Sequence, residues 1–470
     1  MAFFILSAMT PTVVLVFLYM LMQLGIGWWI SRRIRTEADY LIAGRRLGYT
    51  LATFSIFATW FGAETVVGSA GNAYRDGVSL GSAEPFGYGL CLILMGFIFA
   101  VPLWRRRLTT LADLFRVRYS PTVERVAAVI LIPSSILWAA AQVRAFGQIL
   151  STASTGWNVE LAIGIAASFT IAYTMFGGLL VDAVNDVIQG VAVTMGLVIV
   201  FGFFVFELGG FSGFQQALGQ SRGFSLLPSE PMSGWAIAEE WAIPIFGSVL
   251  ATELVGRIIA TRTPRVARGS ALMAGSMYVV VGSIPLMIGL GATAFQLSLS
   301  HAEQAVPVVA RELMPTVAYA AFVGAIISAI LSTVDSTLLT ASALFSHNLL
   351  IPALRISAER KKVLVARGGV LLFGLIAYSL ALSAEGVFAL VEQASAFGSA
   401  GVFVVVCFGL FSSFGGVVAA LFTLLIGTAS YVIFNAAASG YPFLISLGLS
   451  VTVFVLVGSF EQRKKKPGKH

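Results

Sequence analysis

The chain is built mainly from long apolar runs, and these runs constrain its fold more than any other feature. The 470-residue sequence is 58% hydrophobic and only 11% charged, whereas soluble domains carry about 25% charged residues. A transmembrane helix needs about 20 mostly apolar residues. We therefore predict an all-helical membrane protein with on the order of a dozen spans. Such a chain has no room for a further enzymatic or nucleic-acid-binding domain.

The apolar segments predict thirteen spans in a single transmembrane domain over 1–470. They lie at 11–30, 48–72, 83–103, 123–152, 158–178, 184–208, 236–260, 267–295, 308–346, 364–383, 386–411, 414–436 and 440–460. A short basic tail, 461–470, follows the last span.

The basic residues predict how these spans are oriented. Of 29 Lys and Arg residues, 25 fall in alternate loops near 32–46, 105–125, 257–268 and 355–367 and in the tail. Positive residues that flank a span tend to stay in the cytoplasm. We predict a cytoplasmic (inner) membrane protein with its amino terminus outside and its carboxyl terminus inside. Arg144 is then the single basic residue within a span.

The second and seventh spans carry helix-breaking residues at corresponding positions. Gly62, Gly68 and Gly71 interrupt the second span, and Pro244 and Gly247 interrupt the seventh. Non-helical backbone at membrane depth must line a cavity. Matching breaks in two halves predict a binding site at the middle of an inverted repeat, here spans two to six (48–208) against spans seven to eleven (236–411). One helix precedes this repeat and two follow it.

Acidic residues inside the spans predict an ion or solute pathway. An ionisable group at mid-membrane costs about 2.5 to 3.5 kcal/mol on insertion scales, so it rarely occurs without a function. Four acids qualify: Glu64, Asp186, Glu253 and Asp335. Asp182 and Glu84 lie nearer span ends, where exposure to water or helix capping is expected. Arg144, close to Gln142, is the expected cationic partner of one of the four, and a purely structural ion pair is the alternative.

The ninth span aligns three hydroxyl groups. Thr333, Ser336 and Thr337 stand at i, i+3 and i+4 and share one helix face. Hydroxyls, together with carbonyls freed by a broken neighbouring helix, can replace the water around a hard cation such as sodium. The alternative is that each hydroxyl bonds back to a carbonyl of its own helix.

Three stretches carry a recognisable pattern: Tyr40–Gly48, then Gly177 and Gly178 followed by Asn185–Gln189, and Ser328–Thr337. They resemble the sodium/solute symporter family, which includes proline, glucose, sialate and choline transporters. They occur in the same order as in the family, and the resemblance covers nearly the whole chain. It implies the leucine-transporter type of inverted repeat with an extra leading helix.

The resemblance also implies a sodium site between the second and ninth spans. The implied ligands are the backbone carbonyls of Ala58 and Phe61 and the side chains of Thr333, Ser336 and Thr337. Asp186 matches an acid that, in sialate transporters, joins a second sodium ion. The number of sodium ions carried in each cycle stays open between one and two.

Within the family, the chain is most similar to the high-affinity choline transporter branch. In that branch, aromatic residues at the positions of Trp60, Tyr88 and Trp138 help to surround a quaternary ammonium group through cation–π attraction. This chain departs from the branch because it lacks the tryptophan of the seventh span and carries Glu64 and Glu253 in place of uncharged residues. The implied solute pocket comprises Trp60, Glu64, Tyr88, Trp138, Gln142 and Glu253.

Together these features predict a sodium-coupled symporter that imports a small polar organic solute by alternating access, and not an enzyme. The carboxylates favour a cationic or amine-bearing solute, whereas a zwitterion or neutral solute fits if Arg144 neutralises one of them. The expected partners are the solute, sodium and the lipid bilayer, with no nucleic acid and an open oligomeric state. The alternatives are a proton-coupled transporter, with Glu64, Glu253 or Asp335 titrating, and a solute sensor acting through a partner protein.

Overall fold

The chain folds into membrane-length helices, as the apolar runs predict. The computed structural model describes residues 10–154, 156–220, 223–225, 232–295, 305–384 and 386–465. Eleven helices in these ranges are long and apolar enough to cross a membrane, and one bent helix pair forms a twelfth span. Arg222 and the tail residues 466–470, used above in the orientation argument, lie outside the described residues.

The helices follow one another with short connections. In chain order they are α1 (Pro11–Ser31), α2 (Glu37–Ile42), α3 (Tyr49–Trp60), α4 (Glu64–Asp76), α5 (Phe86–Arg105), α6 (Ala112–Arg118), α7 (Pro121–Ala153), α8 (Val159–Glu207), α9 (Phe211–Gln220), α10 (Gly234–Ala242), α11 (Thr252–Ala260), α12 (Pro264–Ala292), α13 (Ala305–Leu313), α14 (Thr316–Ala343), α15 (Glu359–Ser383), α16 (Val387–Ala396), α17 (Ser399–Phe411), α18 (Val417–Ala436) and α19 (Pro442–Lys465).

The long element α8 contains two of the predicted spans. Its 49 residues would form a straight helix of about 73 Å, more than twice the roughly 30 Å of a bilayer core. Gly178 divides it, with φ 65° and ψ 172°. Counted as two, α8 brings the described residues to thirteen spans, so the predicted helical membrane fold is confirmed.

Two spans differ from the sequence prediction in their detail. The predicted ninth span, 308–346, includes residues of the separate helix α13, because Pro315 forms the N-cap at which α14 begins. The predicted eleventh span, 386–411, is divided into α16 and α17 by Gly398, which has φ 70°. Proline and left-handed glycine both interrupt the helical hydrogen-bond ladder.

The helices that carry the breaks and the hydroxyls lie at the centre of the bundle. α14 packs against α7 and α8, and α3 packs against α8 and α12. The apolar window of the α14 span is 72% buried inside the protein, against 28% for α19. The outer helices therefore face lipid, and the ninth span lines the interior.

One end of the bundle collects arginines and tryptophans. Arg32 lies 3.8 Å from the ring of Trp28, and Arg107 lies 4.5 Å from the ring of Trp104. At the same end Arg45 donates to the backbone oxygen of Leu108, 2.6 Å away. Tryptophan and arginine are the residues that anchor helices at a membrane surface. These loops therefore lie together, as their shared positive charge predicts.

Candidate functional site

The second span is broken at Gly62, as predicted, whereas Gly68 and Gly71 lie within the helix α4 and do not interrupt it. The final hydrogen bond of α3 runs from Phe61 N to Phe57 O, 2.9 Å, and α4 begins at Glu64 with a π-helical turn. The two helices meet at an angle of 55°. The last carbonyls of a helix have no partner within that helix. The backbone oxygens of Ala58 and Phe61 therefore lie at a point where other groups can bind them.

The hydroxyl face of α14 lies directly against this break. Thr333 Oγ1 donates to the backbone oxygen of Thr59 at 3.0 Å, and the Thr59 and Ser336 hydroxyls lie 3.3 Å apart. Thr337 Oγ1 bonds back to its own helix, to the oxygens of Thr333 and Val334, both at 2.9 Å. Thr333 and Ser336 also bond back to α14, to the oxygens of Ala329 at 3.2 Å and Ser332 at 2.5 Å. All three hydroxyls therefore make the alternative bond to their own helix, and Thr333 and Ser336 contact Thr59 of α3 as well.

A buried arginine of the seventh span reaches the same place. Arg257, on α11, is 1% exposed, and its Nη2 lies 2.6 Å from Asp182 Oδ2 and 3.6 Å from Asp186 Oδ2. It also donates to the Ser336 hydroxyl. The assignment of Arg257 to a loop is therefore wrong, as is the expectation that Asp182 is exposed or caps a helix. Buried carboxylates require a counter-charge, and Arg257 supplies it.

Arg144 does not have the role that its sequence position predicts. Its Nη1 donates to the backbone oxygen of Ala381 at 2.9 Å, and within the described chain it forms no ion pair with an acid. Two positions along a helix correspond to a rotation of about 200°. Arg144 therefore faces α15, whereas Gln142 faces the interior. The expectation that Arg144 neutralises an interior carboxylate is wrong.

The oxygens of Asp186 already have partners. Asp186 accepts from the hydroxyl of Ser55 at 2.5 Å and from that of Ser332, besides its contact with Arg257. A carboxylate has about four acceptor sites, so a second sodium ion at Asp186 would share the carboxylate with these groups. Asp335 differs, because Oδ1 accepts from Ser336 N at 3.0 Å, no described donor pairs with the buried Oδ2, and its carboxyl lies against that of Asp182.

The three predicted aromatic residues form one buried cluster. The ring centroids of Trp60 and Trp138 are 5.7 Å apart, and those of Tyr88 and Trp138 are 6.2 Å apart. The hydroxyls of Tyr88 and Ser395 lie 3.0 Å apart. Tyr278, on α12, extends the cluster with its ring 6.4 Å from that of Tyr88. The rings contact one another and present aromatic faces in the interior of the bundle.

Polar residues flank this aromatic cluster along one face of α7. Gln142 donates to Glu64 Oε2 at 2.7 Å and accepts from Ala63 N at 3.1 Å. Ser135 donates to Glu253. Ser135, Trp138 and Gln142 stand at i, i+3 and i+7 and share a helix face. Glu253 and Glu64 therefore lie on either side of Trp138.

Sequence reasoning missed Glu84 and Tyr278. Glu84 is buried, and its Oε1 accepts from Thr65 and from Tyr278, each at 2.7 Å, so the expectation of an exposed or capping Glu84 is wrong. Thr65 and Tyr278 also hydrogen-bond each other. The sequence offered no signal for this contact, because an acid before Pro85 is typical of a helix start and Tyr278 stands in an ordinary apolar run.

A cleft leads towards Arg257 from the basic end of the bundle. Its cavity volume is about 20 Å³, which is room for about one water molecule. Its lining includes Thr109 and Leu111 of the loop before α6, Thr252 and Arg257 of α11, and Thr340 of α14. Water can therefore approach the Arg257 ion pair from this side.

Comparisons with known proteins identify relatives of the chain. A model of the sodium:solute symporter family matches residues 40–427. The human high affinity choline transporter 1 is 28% identical over 406 residues, which are 80% of this chain and 68% of that protein. The Drosophila melanogaster high-affinity choline transporter 1 is 25% identical over 82% of this chain and 64% of its own length. The chain thus spans about two thirds of the length of these relatives. The Escherichia coli symporter YidK is 24% identical over 93% of this chain and 82% of that protein.

Solved structures share the fold. A Na+-coupled sialic acid symporter superposes with a TM-score of 0.84 at 17% identity, covering 96% of this chain and 97% of that one. Mhp1, a nucleobase-cation-symport-1 family transporter, superposes with a TM-score of 0.61 at 14% identity, covering 92% of this chain and 96% of that one. The fold is the leucine-transporter type, as the resemblance implies.

Proposed function

The chain belongs to the sodium:solute symporter family, and on this premise we propose that it imports a small polar organic solute together with sodium by alternating access. The observation that carries the proposal is the contact between α14 and the broken second span. Thr333 is bonded to the Thr59 carbonyl at 3.0 Å, and Ser336 lies beside it. An ion held there joins two helices that must separate when the site opens.

The proposed sodium ligands are five oxygens from two helices. They are the carbonyls of Ala58 and Phe61 and the hydroxyls of Thr333, Ser336 and Thr337. Hard cations prefer such oxygen ligands. Sodium would hold α3 and α14 together and so favour the state that binds solute. By linkage, solute then raises the affinity for sodium by the same factor.

The proposed solute pocket is the aromatic cluster with its flanking acids. It comprises Trp60, Glu64, Tyr88, Trp138, Gln142 and Glu253. Aromatic faces attract cations, and within the described residues no Lys or Arg nitrogen lies at ion-pair distance from Glu64 or Glu253. The names of the choline-transporter relatives support a cationic solute. We propose a cationic or amine-bearing solute for this chain.

The distribution of basic residues supports the proposed orientation in the cytoplasmic membrane. The Arg–Trp pairs near Arg32 and Arg107 would lie at the cytoplasmic surface, with the amino terminus outside. The burial of Arg257 removes one residue from the cytoplasmic count but leaves the asymmetry between the two sets of loops intact. The cleft that reaches Arg257 would then be a route towards the cytoplasm.

Proton coupling is the second candidate, and Asp335 is the observation that favours it. Its carboxyl lies against that of Asp182, and no described donor pairs with its buried Oδ2. A proton held by one of the two acids avoids the cost of an unpaired buried charge. Uptake that persists without sodium and stops when the pH gradient is collapsed would replace sodium coupling with this mechanism.

Thermal stability of the purified protein tests the proposal directly. A ligand that binds only the folded state raises apparent stability by mass action. We expect a rise in melting temperature when sodium replaces potassium at equal ionic strength, and a further rise when amines or other cations are added from a panel that also contains sugars, amino acids and carboxylates. A melting temperature that is independent of sodium at every pH would contradict sodium coupling.

A further inference from the structure

Four buried polar atoms in or next to the proposed solute pocket have no hydrogen-bond partner among the described residues. They are Trp60 Nε1, Glu64 Oε1, Glu84 Oε2 and Trp138 Nε1. Buried polar atoms in native proteins are almost always paired. Two indole donors and two carboxylate acceptors left unpaired around one aromatic cluster indicate a ligand that supplies the complementary atoms.

Glu64 defines the acceptor side of this ligand site. The side chain is 1% exposed, Gln142 donates to Oε2 at 2.7 Å, and the backbone amides of Gly62 and Glu64 also face the carboxylate. These groups fix its position, and no described residue donates to Oε1 with good hydrogen-bond geometry. Gln142 and Trp138 stand four positions apart on α7 and share a face, and Trp60 lies against Trp138. The free oxygen therefore lies beside the aromatic rings.

The charge of the pocket specifies a cation. Glu84 is close enough to Glu64 for the two carboxylates to interact electrostatically, and within the described chain neither has a Lys or Arg nitrogen at ion-pair distance. Thr65 and Tyr278 hold Glu84 by hydrogen bonds of 2.7 Å. Two buried acids without a basic partner can stay ionised only when a cation lies beside them, so a positively charged solute would pair with a charge that the pocket on its own disfavours.

The unpaired Glu64 oxygen also indicates which kind of cation the pocket would bind. A fully substituted ammonium group carries no N–H donor and would leave Glu64 Oε1 unpaired, whereas a primary ammonium group carries three donors. We propose that the solute is an amine cation with N–H groups, which donates to Glu64 Oε1 within the rings of Trp60, Tyr88 and Trp138. A neutral acceptor on the same solute, such as a hydroxyl, would pair with the indole N–H groups. This inference rests on the proposed function and narrows its solute class.

A series of amines that differ only in the number of methyl groups on nitrogen measures whether the pocket prefers N–H donors. The probes are ethanolamine, its N-methyl and N,N-dimethyl derivatives, and choline, each titrated against the wild-type protein in sodium and in potassium. Affinity should fall as N–H donors are removed. Choline should bind at least about tenfold more weakly than ethanolamine, because a buried charged acceptor is left without a donor.

A pair of variants assigns the preference to Glu64. Glu64→Gln should reduce the affinity for ethanolamine more than the affinity for choline. The difference in affinity between the two should therefore become smaller. Glu160→Gln is the matched control, because Glu160 is exposed at the start of α8 and its substitution should leave the series unchanged. If Glu64→Gln does not fold, the wild-type series still decides the question.

The outcomes separate this inference from the proposed function. Sodium-dependent binding in which choline equals or exceeds ethanolamine overturns the inference alone, as does sodium stabilisation with no response to any amine. Tighter binding of ethanolamine that is equal in sodium and potassium supports the inference and overturns sodium coupling. Absence of both responses overturns both.

Discussion

Arg257 Nη2 lies 2.6 Å from Asp182 Oδ2 in the interior of the bundle, and this ion pair joins the broken seventh span to α8. The same guanidinium donates to Ser336, whose oxygen is a proposed sodium ligand. In the proposed mechanism, sodium and the Arg257 guanidinium therefore both bind the Ser336 hydroxyl. Binding of sodium on α14 is in this way linked to the position of α11, which also carries Glu253 of the proposed pocket.

Arg257→Gln should destabilise the protein strongly. Removing one partner of a buried ion pair costs about 3–5 kcal/mol, because the other charge is left unpaired. Adding Asp182→Asn to the same protein should recover part of this loss, since the double variant removes both charges. The melting temperatures of the two single variants and the double variant, in detergent, measure the coupling.

Arg116→Gln provides the control for that experiment. Arg116 lies 3.7 Å from Glu124, and its side chain is 57% exposed, so this pair should contribute about 1 kcal/mol or less. A melting temperature of Arg257→Gln equal to that of Arg116→Gln would show that the buried pair does not stabilise the fold.

Thr337→Ala should raise the sodium concentration needed for half-maximal uptake several-fold, by roughly 1 kcal/mol of lost ligation. Thr337 is the best residue for this test because its hydroxyl hydrogen bonds remain within α14, so the Arg257 ion pair is left intact. Thr337→Ser keeps the hydroxyl and should keep the wild-type sodium dependence. Identical sodium curves for the alanine and serine variants would remove Thr337 from the site.

The membrane fold could be predicted because hydropathy defines each span without reference to its neighbours. The predicted span 11–30 corresponds to α1 at Pro11–Ser31, and the predicted span 123–152 corresponds to α7 at Pro121–Ala153. The breaks in the second and seventh spans were also predictable, since glycine and proline act locally on the backbone.

The pairing of charges could not be predicted, because it depends on residues far apart in sequence. Arg257 lies near the end of an apolar run, which is typical of a loop residue, while its partner Asp182 is 75 positions away. Glu84 and Tyr278 are 194 positions apart. A single sequence contains no signal that links such positions, and the choice of Arg144 over Arg257 followed from position within a span alone.

Asp113, in the first turn of α6 at the basic end, should make stability depend on pH. Burial raises the pKa of Asp113, but hydrogen bonds from His347 and from the backbone of Thr109 and Thr110 outweigh it, so the pKa lies below its usual 3.8. A lowered pKa contributes stability that is complete above the unfolded value and is lost as pH falls through the folded value. Melting curves from about pH 5 down to about pH 2 should therefore show a steeper loss for wild type than for Asp113→Asn.

Asp76→Asn is the control for the melting curves at acidic pH. Asp76 pairs with Arg75 at the surface, where its side chain is 48% exposed, so this variant should follow the wild-type curve. If the melting temperature falls equally with pH for Asp113→Asn and wild type, the acid sensitivity arises from other carboxylates.

Gly178→Ala should destabilise the division of α8 into two spans. Gly178 has φ 65° and ψ 172°, a conformation that is essentially restricted to glycine and costs other residues about 1–3 kcal/mol. An added Cβ would lie 2.8 Å from Tyr40 Cδ2 and 2.9 Å from the Tyr40 backbone oxygen. Tyr40 in turn donates to the Thr174 oxygen at 3.2 Å, so displacing it removes a cap from the first half of α8.

Gly202→Ala is the control. It lies in the second half of α8, where an added Cβ meets no atom within 4 Å, so this variant should be neutral or stabilising by up to about 1 kcal/mol. Melting temperatures of both variants in detergent make the comparison, and equal values would show that the glycine at 178 is not required for the break.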